Sequence, residues 1–242
     1  MQYLIGLDDT DNLDSPGTGH RARQLAELLM QGGLAQTEGI TRHQLLVSPL
    51  IRYTSHNSAA CLVVTTNDST RDELAGECRQ FLLRESAAEA DAGLCVAGWD
   101  EITPHILEFG KRAKESVLSQ AEAHSLQHET GLLLEGLTGS RDGMIGALAA
   151  IALRAAGNDG RFLWLPGLRE LTGSYTADEL KRIAHIDQIQ ALHGNDPLEF
   201  DKIEVGDWVR PILRSGKSVL LVEEVDHEWR VVAKEQVKRC SE

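Results

Sequence analysis

The chain has 242 residues, of which 42% are apolar and 25% are charged, a composition typical of a soluble globular protein. Its formal net charge of −13 opposes non-specific binding to nucleic acid or to an anionic membrane surface. No apolar run approaches the ~20 residues that span a bilayer, and the first residues lack the basic region and cleavage site of a signal peptide. We therefore expect a cytoplasmic protein without a membrane partner.

The four cysteines, Cys61, Cys78, Cys95 and Cys240, are scattered along the chain without any C-x-x-C pair. This spacing excludes a zinc ribbon, whose ligands come in such pairs. In a reducing compartment the four residues are most simply explained as buried thiols.

The first predicted element is a buried strand over residues 2–7, and it runs into the acidic residues Asp8, Asp9 and Asp11. Three carboxylates within four residues repel one another unless a cation lies among them. Mg²⁺ takes carboxylate oxygens, keeps some water and bridges to phosphates. The sequence therefore predicts a metal site at these three aspartates, with a solvated acidic turn as the alternative.

A loop of turn-forming residues follows, and it contains Gly17, Thr18 and Gly19 immediately before a helical pattern. Free N–H groups and the positive end of the helix dipole suit such a loop to a phosphate. We therefore predict that Gly17 and Gly19 contact the phosphates of a nucleotide.

The next elements complete a recognisable order. Two short apolar runs, 44–51 and 59–64, suggest a pair of strands, and a capping box at Thr70 begins a helix. A strand-like run follows at 93–97. The order strand–helix–strand–strand–helix–strand predicts a ferredoxin-like βαββαβ unit.

A second glycine-rich stretch, residues 139–146, precedes a run of small residues with helical character. Glycines at a helix entry allow close approach of a ligand or of another backbone segment. We predict that Gly143 and Gly146 form a second phosphate loop across one cleft from the aspartates, although Gly–Ala helices also occur merely for tight packing.

The last part of the chain has a different pattern, in which apolar runs are short. A capping box at Thr176 predicts a helix, and short apolar runs at 205–211, 218–222 and 228–232 are typical of a small SH3- or OB-type barrel. We therefore predict an α+β chain: a ferredoxin-like unit with additional α/β catalytic elements, and a small C-terminal β-barrel-like module. The corresponding domains are 1–175, a helical connection over 176–200, and 201–242.

Three blocks in the same order resemble the archaeal tRNA agmatinylcytidine synthetase family. Residues 5–11 match its G-[IL]-D-D-T-D signature, residues 50–60 resemble a segment ending in T-R-G-N-[GA]-A, and residues 141–150 resemble G-R-G-L-I-G-A-[LI]-A-A. The likeness covers roughly residues 1–170. That family uses ATP to activate a cytidine of an isoleucine tRNA and joins agmatine to it.

The resemblance implies that Asp8, Asp9 and Asp11 bind Mg²⁺ and nucleotide, and Thr18 is the nearest counterpart of a phosphorylatable threonine. The sequence also departs from the family pattern, and Asp142 interrupts the glycine stretch of the third block. Ser55 and His56 stand where the family has Arg-Gly, and no cysteine pairs remain to build the family's zinc ribbon. What carries over is the nucleotide–metal site.

The leading hypothesis is Mg²⁺- and ATP-dependent phosphoryl transfer to an unidentified small-molecule or RNA acceptor. Arg141 or Arg112 would balance charge on the transferred group, and His56 and Asn57 would orient substrate or metal. The candidate site residues are, for catalysis, Asp9, Thr18, Arg112 and Arg141; for the nucleotide, Gly17, Gly19, His56, Asn57, Gly143 and Gly146; and for the metal, Asp8, Asp9 and Asp11.

Two alternatives remain. One is a tRNA-modifying enzyme that acts on a tRNA base and uses the C-terminal module to hold RNA, which the net charge disfavours. The other is a non-catalytic nucleotide-binding or scaffold protein, which the substituted second and third blocks favour.

Overall fold

The computed structural model describes residues 1–67 and 69–241. It is a mixed α+β protein that divides into two compact units, Met1–Ala156 and Gly157–Glu242, each with its own hydrophobic core. The domain bounds predicted at residues 175 and 200 stay a prediction, because compactness does not test which segments fold independently. Within the described ranges, no helix combines the length and the apolar character that crossing a membrane requires.

The first unit is built on a five-stranded sheet in which every pairing is antiparallel. Its strands are β1 Gln2–Asp8, β2 Gln36–Gln44, β3 Ser58–Thr65, β4 Gly93–Gly98 and β5 Leu133–Gly136, in the spatial order β5-β4-β1-β3-β2. Its helices are α1 Thr18–Gln31, α2 Arg71–Glu85, α3 Pro104–Glu115, α4 Gln120–Thr130 and α5 Gly143–Ala156. The predicted order strand–helix–strand–strand–helix–strand is confirmed from β1 to β4.

The predicted strand over residues 44–51 is wrong. The strand that pairs with β3 is β2, which ends at Gln44, and residues 45–57 form an irregular loop. Strand β2 is rich in polar residues, and three of them are buried: Thr37, Thr41 and His43. The Thr41 hydroxyl and the His43 ring lie 2.8 Å apart. A hydrophobic pattern does not reveal such a polar strand. Val47 and Leu50, two of the apolar residues in the run predicted as a strand, are exposed.

Helix α5 lies directly on the backbone of strands β1 and β4, and nearly all of its residues are buried. Two strand glycines permit this contact. A Cβ atom on Gly6 would lie 2.0 Å from the carbonyl oxygen of Ala147, and one on Gly93 would lie 2.0 Å from the carbonyl carbon of Gly143. Because Asp8 pairs with Gly93 across the sheet, this packing holds the start of α5 beside the end of β1.

The second unit contains shorter strands with mixed pairing. They are β6 Arg161–Trp164, β7 Gly173–Thr176, β8 Gln188–Ala191, β9 Lys202–Val205, β10 Ile212–Arg214, β11 Lys217–Val225 and β12 Glu228–Val231. Its helices are α6 Ala177–Ile183, which begins at the predicted capping box, and α7 Lys234–Ser241. The strand order is β6-β10-β11-β12-β9-β7, with β8 parallel to β11 and β9 parallel to β12.

The barrel prediction for the C-terminal part is wrong. Over the part of the chain that the structure describes, the sheet path ends at β7 without returning to β6, so no closed barrel forms. The predicted strand at 205–211 is also wrong, because β9 ends at Val205 and residues 206–211, which include Gly206 and Pro211, form no strand. The strands predicted at 218–222 and 228–232 are confirmed as parts of β11 and β12, although β12 ends at Val231.

Three of the four cysteines are buried as predicted, and Cys240 is exposed. Burial raises the pKa of the Cys61 and Cys78 thiols to about 12, and that of Cys95 also rises well above its ordinary value. These three side chains are therefore neutral packing residues in the core of the first unit.

Candidate functional site

One cavity of about 160 Å³ brings together the two segments predicted to bind a metal ion and phosphates. Asp8 and Asp9 contribute from the end of β1, and Gly143 and Gly146 contribute from the start of α5. We call this space the acidic cavity, because Asp91 and Asp142 also line it. Apolar side chains, including Leu45, Leu118 and Ile145, complete much of the lining.

The glycines of α5 serve close packing against the acidic residues. A Cβ atom on Gly146 would lie 1.7 Å from Oδ2 of Asp8, so the helix backbone directly faces that carboxylate. The Gly143 N–H donates a hydrogen bond to the Asp91 carbonyl oxygen at 2.9 Å. This N–H group is thus already engaged, and the contribution of the helix start to the cavity is its positive dipole end.

The pKa values of the two cavity aspartates at the end of β1 are raised. Burial, the neighbouring Asp9 and, to a lesser degree, Asp11 raise the pKa of Asp8 to about 8. Burial raises the pKa of Asp9 to about 6, with further increases from Asp91 and Asp11 that Arg52 partly offsets. Near neutral pH the Asp8 carboxyl therefore retains a proton that a bound cation would displace.

Asp9 also has a left-handed backbone conformation, with φ of 47°. Aspartate tolerates this region better than most residues, yet the conformation is uncommon outside glycine. It turns the chain sharply after β1, so that consecutive aspartates both line the acidic cavity.

Asp11 caps helix α1. Its Oδ1 atom accepts hydrogen bonds from the Thr18 N–H at 3.0 Å and from the Thr18 hydroxyl at 2.8 Å. The Thr18 oxygen in turn accepts from the Thr10 N–H at 3.3 Å, and the Thr18 side chain is buried. The predicted metal ligand and the predicted reactive threonine therefore hold the loop between β1 and α1 closed.

The remaining nucleotide candidates are distributed unevenly. His56 and Asn57 line a small space of about 30 Å³ that adjoins the acidic cavity, together with Thr18. The Asn57 side-chain amide donates to the Leu46 carbonyl oxygen at 2.7 Å, so it also fixes the base of the loop. In the described parts of the chain, neither Gly17 nor Gly19 lines these spaces.

The structure does not bring the two predicted arginines to the acidic cavity. Arg112 pairs with Glu122 of α4, and Arg141 is exposed with φ of 71°. The cation that lines the cavity is Arg52, whose Nη1 lies 3.9 Å from Oδ2 of the buried Asp91. The sequence analysis did not identify either residue of this pair. Arg52 lies in a polar connection, and Asp91 lies at the end of an unremarkable acidic stretch.

The donor set suits a hard divalent cation that keeps some water. Among the described residues, no three His, Cys, Asp or Glu side chains converge closely enough to hold a metal ion. Mg²⁺ is usually bound by one or two carboxylates together with water and phosphate oxygens. Asp8 and Asp9 fit that requirement, whereas the Asp11 carboxylate is engaged by Thr18.

The fold and the site define the class: an α+β unit with adjacent aspartates at a strand end, facing the start of a glycine-containing helix. No protein-family model and no curated protein matches the chain. Among solved structures, apo TiaS, a tRNA agmatidine synthetase, matches with a TM-score of 0.55 and 22% identity, covering 63% of this chain and 35% of that one. A complex of TiaS with tRNA and ATP matches with a TM-score of 0.55 and 24% identity, over 63% of this chain and 36% of the other.

A complex of TiaS with tRNA, AMPCPP and agmatine matches with a TM-score of 0.54 and 24% identity, over 62% of this chain and 36% of that one. The chain thus spans about a third of the length of the solved structures that it matches. The resemblance predicted from the three sequence blocks is confirmed as a similarity of fold to part of TiaS.

Proposed function

We propose that this chain binds a nucleoside triphosphate, with ATP as the first candidate, together with Mg²⁺ at the acidic cavity, and transfers a phosphoryl group to an acceptor. The observation that carries the proposal is the pair Asp8 and Asp9, whose raised pKa values and position beside the start of α5 mark a site built for a cation. ATP and AMPCPP in the similar TiaS complexes support the nucleotide. The ferredoxin-like assignment belongs to the same proposal, and the strand order β4-β1-β3-β2 supports it.

Charge explains why the metal and the nucleotide belong together. The acidic cavity is lined by four aspartates and by Arg52, so a bare triphosphate would be repelled. Asp8 and Asp9 would hold Mg²⁺, which would supply the positive charge that offsets the charge of the phosphates. The positive end of the α5 dipole adds to the attraction.

The chemistry that follows is a direct phosphoryl transfer. An acceptor oxygen forms a bond to the terminal phosphorus while the bond from that phosphorus to the leaving diphosphate oxygen breaks. The acceptor hydroxyl proton passes to a carboxylate that lines the acidic cavity.

The Asp9→Asn variant tests the proposal. We expect Mg²⁺-dependent ATP binding to weaken at least about tenfold, because one of two carboxylates is lost from the metal. The fold should persist, since asparagine also tolerates the left-handed conformation, and the stability of the metal-free protein should stay level or rise. Calorimetric titration with Mg·ATP and a thermal melt measure the two quantities.

Asp14→Asn is the matched control, because Asp14 is an exposed acid of the same loop that does not line the acidic cavity. It should bind Mg·ATP as the parent does. A parent protein that binds no Mg·ATP, combined with an Asp9→Asn variant of lower stability, would instead indicate a structural acidic turn.

Gly146→Ala provides a test that leaves every carboxylate in place. Its Cβ would lie 1.7 Å from Oδ2 and 2.9 Å from Cβ of Asp8, so the carboxylate must rotate away and the helix must shift slightly from the strand. We expect a folded protein whose Mg·ATP affinity falls about tenfold or more, because ligand geometry at a metal site tolerates little displacement. Unchanged Mg·ATP affinity in a titration of the folded variant would separate Gly146 from the site.

A tRNA acceptor is a second candidate, supported by the tRNA in the similar TiaS complexes. The net charge of −13 opposes it. Filter binding of tRNA by the full chain at several salt concentrations decides the matter, since specific binding should be clear and salt-dependent. Mg·ATP binding without turnover over a wide panel of acceptors would favour a non-catalytic nucleotide-binding protein.

A further inference from the structure

The irregular segment 45–57, which we call the Arg52 loop, is clamped at its base and sparsely tied elsewhere. The Leu45 N–H donates to the Asn57 carbonyl oxygen at 2.8 Å, and the Leu46 N–H donates to that of Ala113 at 3.0 Å. Near the far end, the Thr54 hydroxyl donates to the Asp11 carbonyl oxygen at 3.0 Å. The loop is therefore anchored beside the acidic cavity while its middle remains exposed.

Arg52 lies where three neighbouring spaces meet. It lines the acidic cavity, the adjoining space of about 30 Å³, and a third of about 300 Å³ that opens beside Asp9 and Asp11. Among the described residues that line these spaces, it is the one Lys or Arg side chain. An anionic ligand entering any of them meets this guanidinium.

The present partner of Arg52 holds it loosely. The distance of 3.9 Å to Oδ2 of Asp91 is that of a weak ion pair, and the Arg52 side chain is 76% exposed. The Asp91 carboxylate has a second partner, because its Oδ1 accepts the Ser140 N–H at 2.5 Å. When the guanidinium leaves, the carboxylate therefore keeps this one hydrogen bond.

We infer that Arg52 is the phosphate-binding cation of this site, moving from Asp91 to the phosphate oxygens of the bound nucleotide. The inference rests on the proposed function and assigns to Arg52 the part that the sequence suggests for Arg112 or Arg141. A guanidinium presents two parallel N–H donors that match phosphate oxygens, and such charge-assisted bonds are strong once water is displaced. In the ligand-free protein the same charge lies beside Asp9 and Asp91 and offsets their repulsion.

Arg52→Gln separates this role from metal binding, because the two affinities should move differently. Mg·ATP affinity should fall about ten- to a hundredfold, the effect of losing a charge-assisted pair. Affinity for Mg²⁺ alone should stay level or rise, since a cation is removed from beside the carboxylates. Arg52→Lys keeps the charge and loses the paired donors, so its Mg·ATP affinity should lie between that of the parent and that of Arg52→Gln.

Arg141→Gln and Arg112→Gln are the matched controls, and both should bind Mg·ATP within about twofold of the parent. The measurement is calorimetric titration of each full-length variant with Mg²⁺ alone and with Mg·ATP, after a thermal melt confirms folding. A parent that binds Mg·ATP while Arg52→Gln binds it equally well overturns this inference and leaves the proposed function standing. A parent that binds Mg²⁺ but no Mg·ATP overturns both.

Discussion

Asp8→Asn is expected to stabilise the metal-free protein, and the gain should grow as the pH rises from about 5 to about 8. The folded-state pKa of Asp8 is raised from 3.8 to about 8, so the folded protein keeps a proton that the unfolded chain has lost over this range. Folded stability is then lost progressively as the pH rises towards the folded pKa. Asparagine has no charge to lose, so the advantage of the variant should grow by about 3–4 kcal/mol between about pH 5 and about pH 8.

Thermal melts of the parent and variant at several pH values measure this effect. Asp14→Asn is the control, since an exposed acid of the same loop should change stability by less than about 0.5 kcal/mol at any pH. A carboxylate that stabilised the turn would behave oppositely, and its removal would cost about 1 kcal/mol. That outcome would show that the repulsion at the end of β1 is not a property of the folded protein.

Mg·ATP should narrow the stability difference between the two proteins. A ligand that binds only the folded state stabilises it in proportion to the logarithm of its concentration, and the parent should bind it more tightly than Asp8→Asn. A site that costs stability when empty and returns it with ligand is common where a protein is built for binding. Repeating the melts with saturating Mg·ATP extends the experiment to function.

Gly93→Ala is expected to be the most damaging single methyl addition near the site. Its Cβ would lie 2.0 Å from the carbonyl carbon of Gly143 and 2.3 Å from the Met144 nitrogen, and these are backbone atoms that cannot rotate away. Helix α5 must shift from the sheet, and we expect a loss of about 3 kcal/mol in the free energy of unfolding. Urea denaturation followed by circular dichroism measures it.

Gly76→Ala is the matched control, because a Cβ at that position in α2 meets nothing within 4 Å. Alanine is the better helix former, so this variant should gain about 0.5–1 kcal/mol. Equal effects of the two substitutions would contradict the close contact between β4 and α5.

Local signals in the sequence determined several helix starts and the position of the acidic stretch. The capping boxes at Thr70 and Thr176 and the cap at Thr103 were predictable because each joins residues three positions apart. The acidic stretch after β1 was recognisable for a similar reason, since three carboxylates close in sequence must be close in space. The order of elements through β4 followed from these signals.

Contacts between distant segments were beyond the sequence. Strand β2 is polar, and what makes it a strand is the ladder that it forms with β3. Whether the C-terminal strands close into a barrel depends on pairings such as that of β8 with β11, which no local pattern encodes. Hydrophobic periodicity therefore predicted a strand over residues 44–51 where there is none. It also predicted a closed barrel where the sheet is open.

In the candidate site, too, the sequence identified some residues, and only the tertiary structure decided their contacts. Asp8, Asp9, Gly143 and Gly146 were identifiable as residue types suited to metal and phosphate, yet only tertiary packing made Gly146 the face against which the Asp8 carboxylate lies. Asp11 changed from expected ligand to helix cap because its oxygen meets the start of α1. Only the folded loop places Arg52 3.9 Å from Asp91. The two residues are far apart in the sequence, so no local pattern predicts this electrostatic attraction.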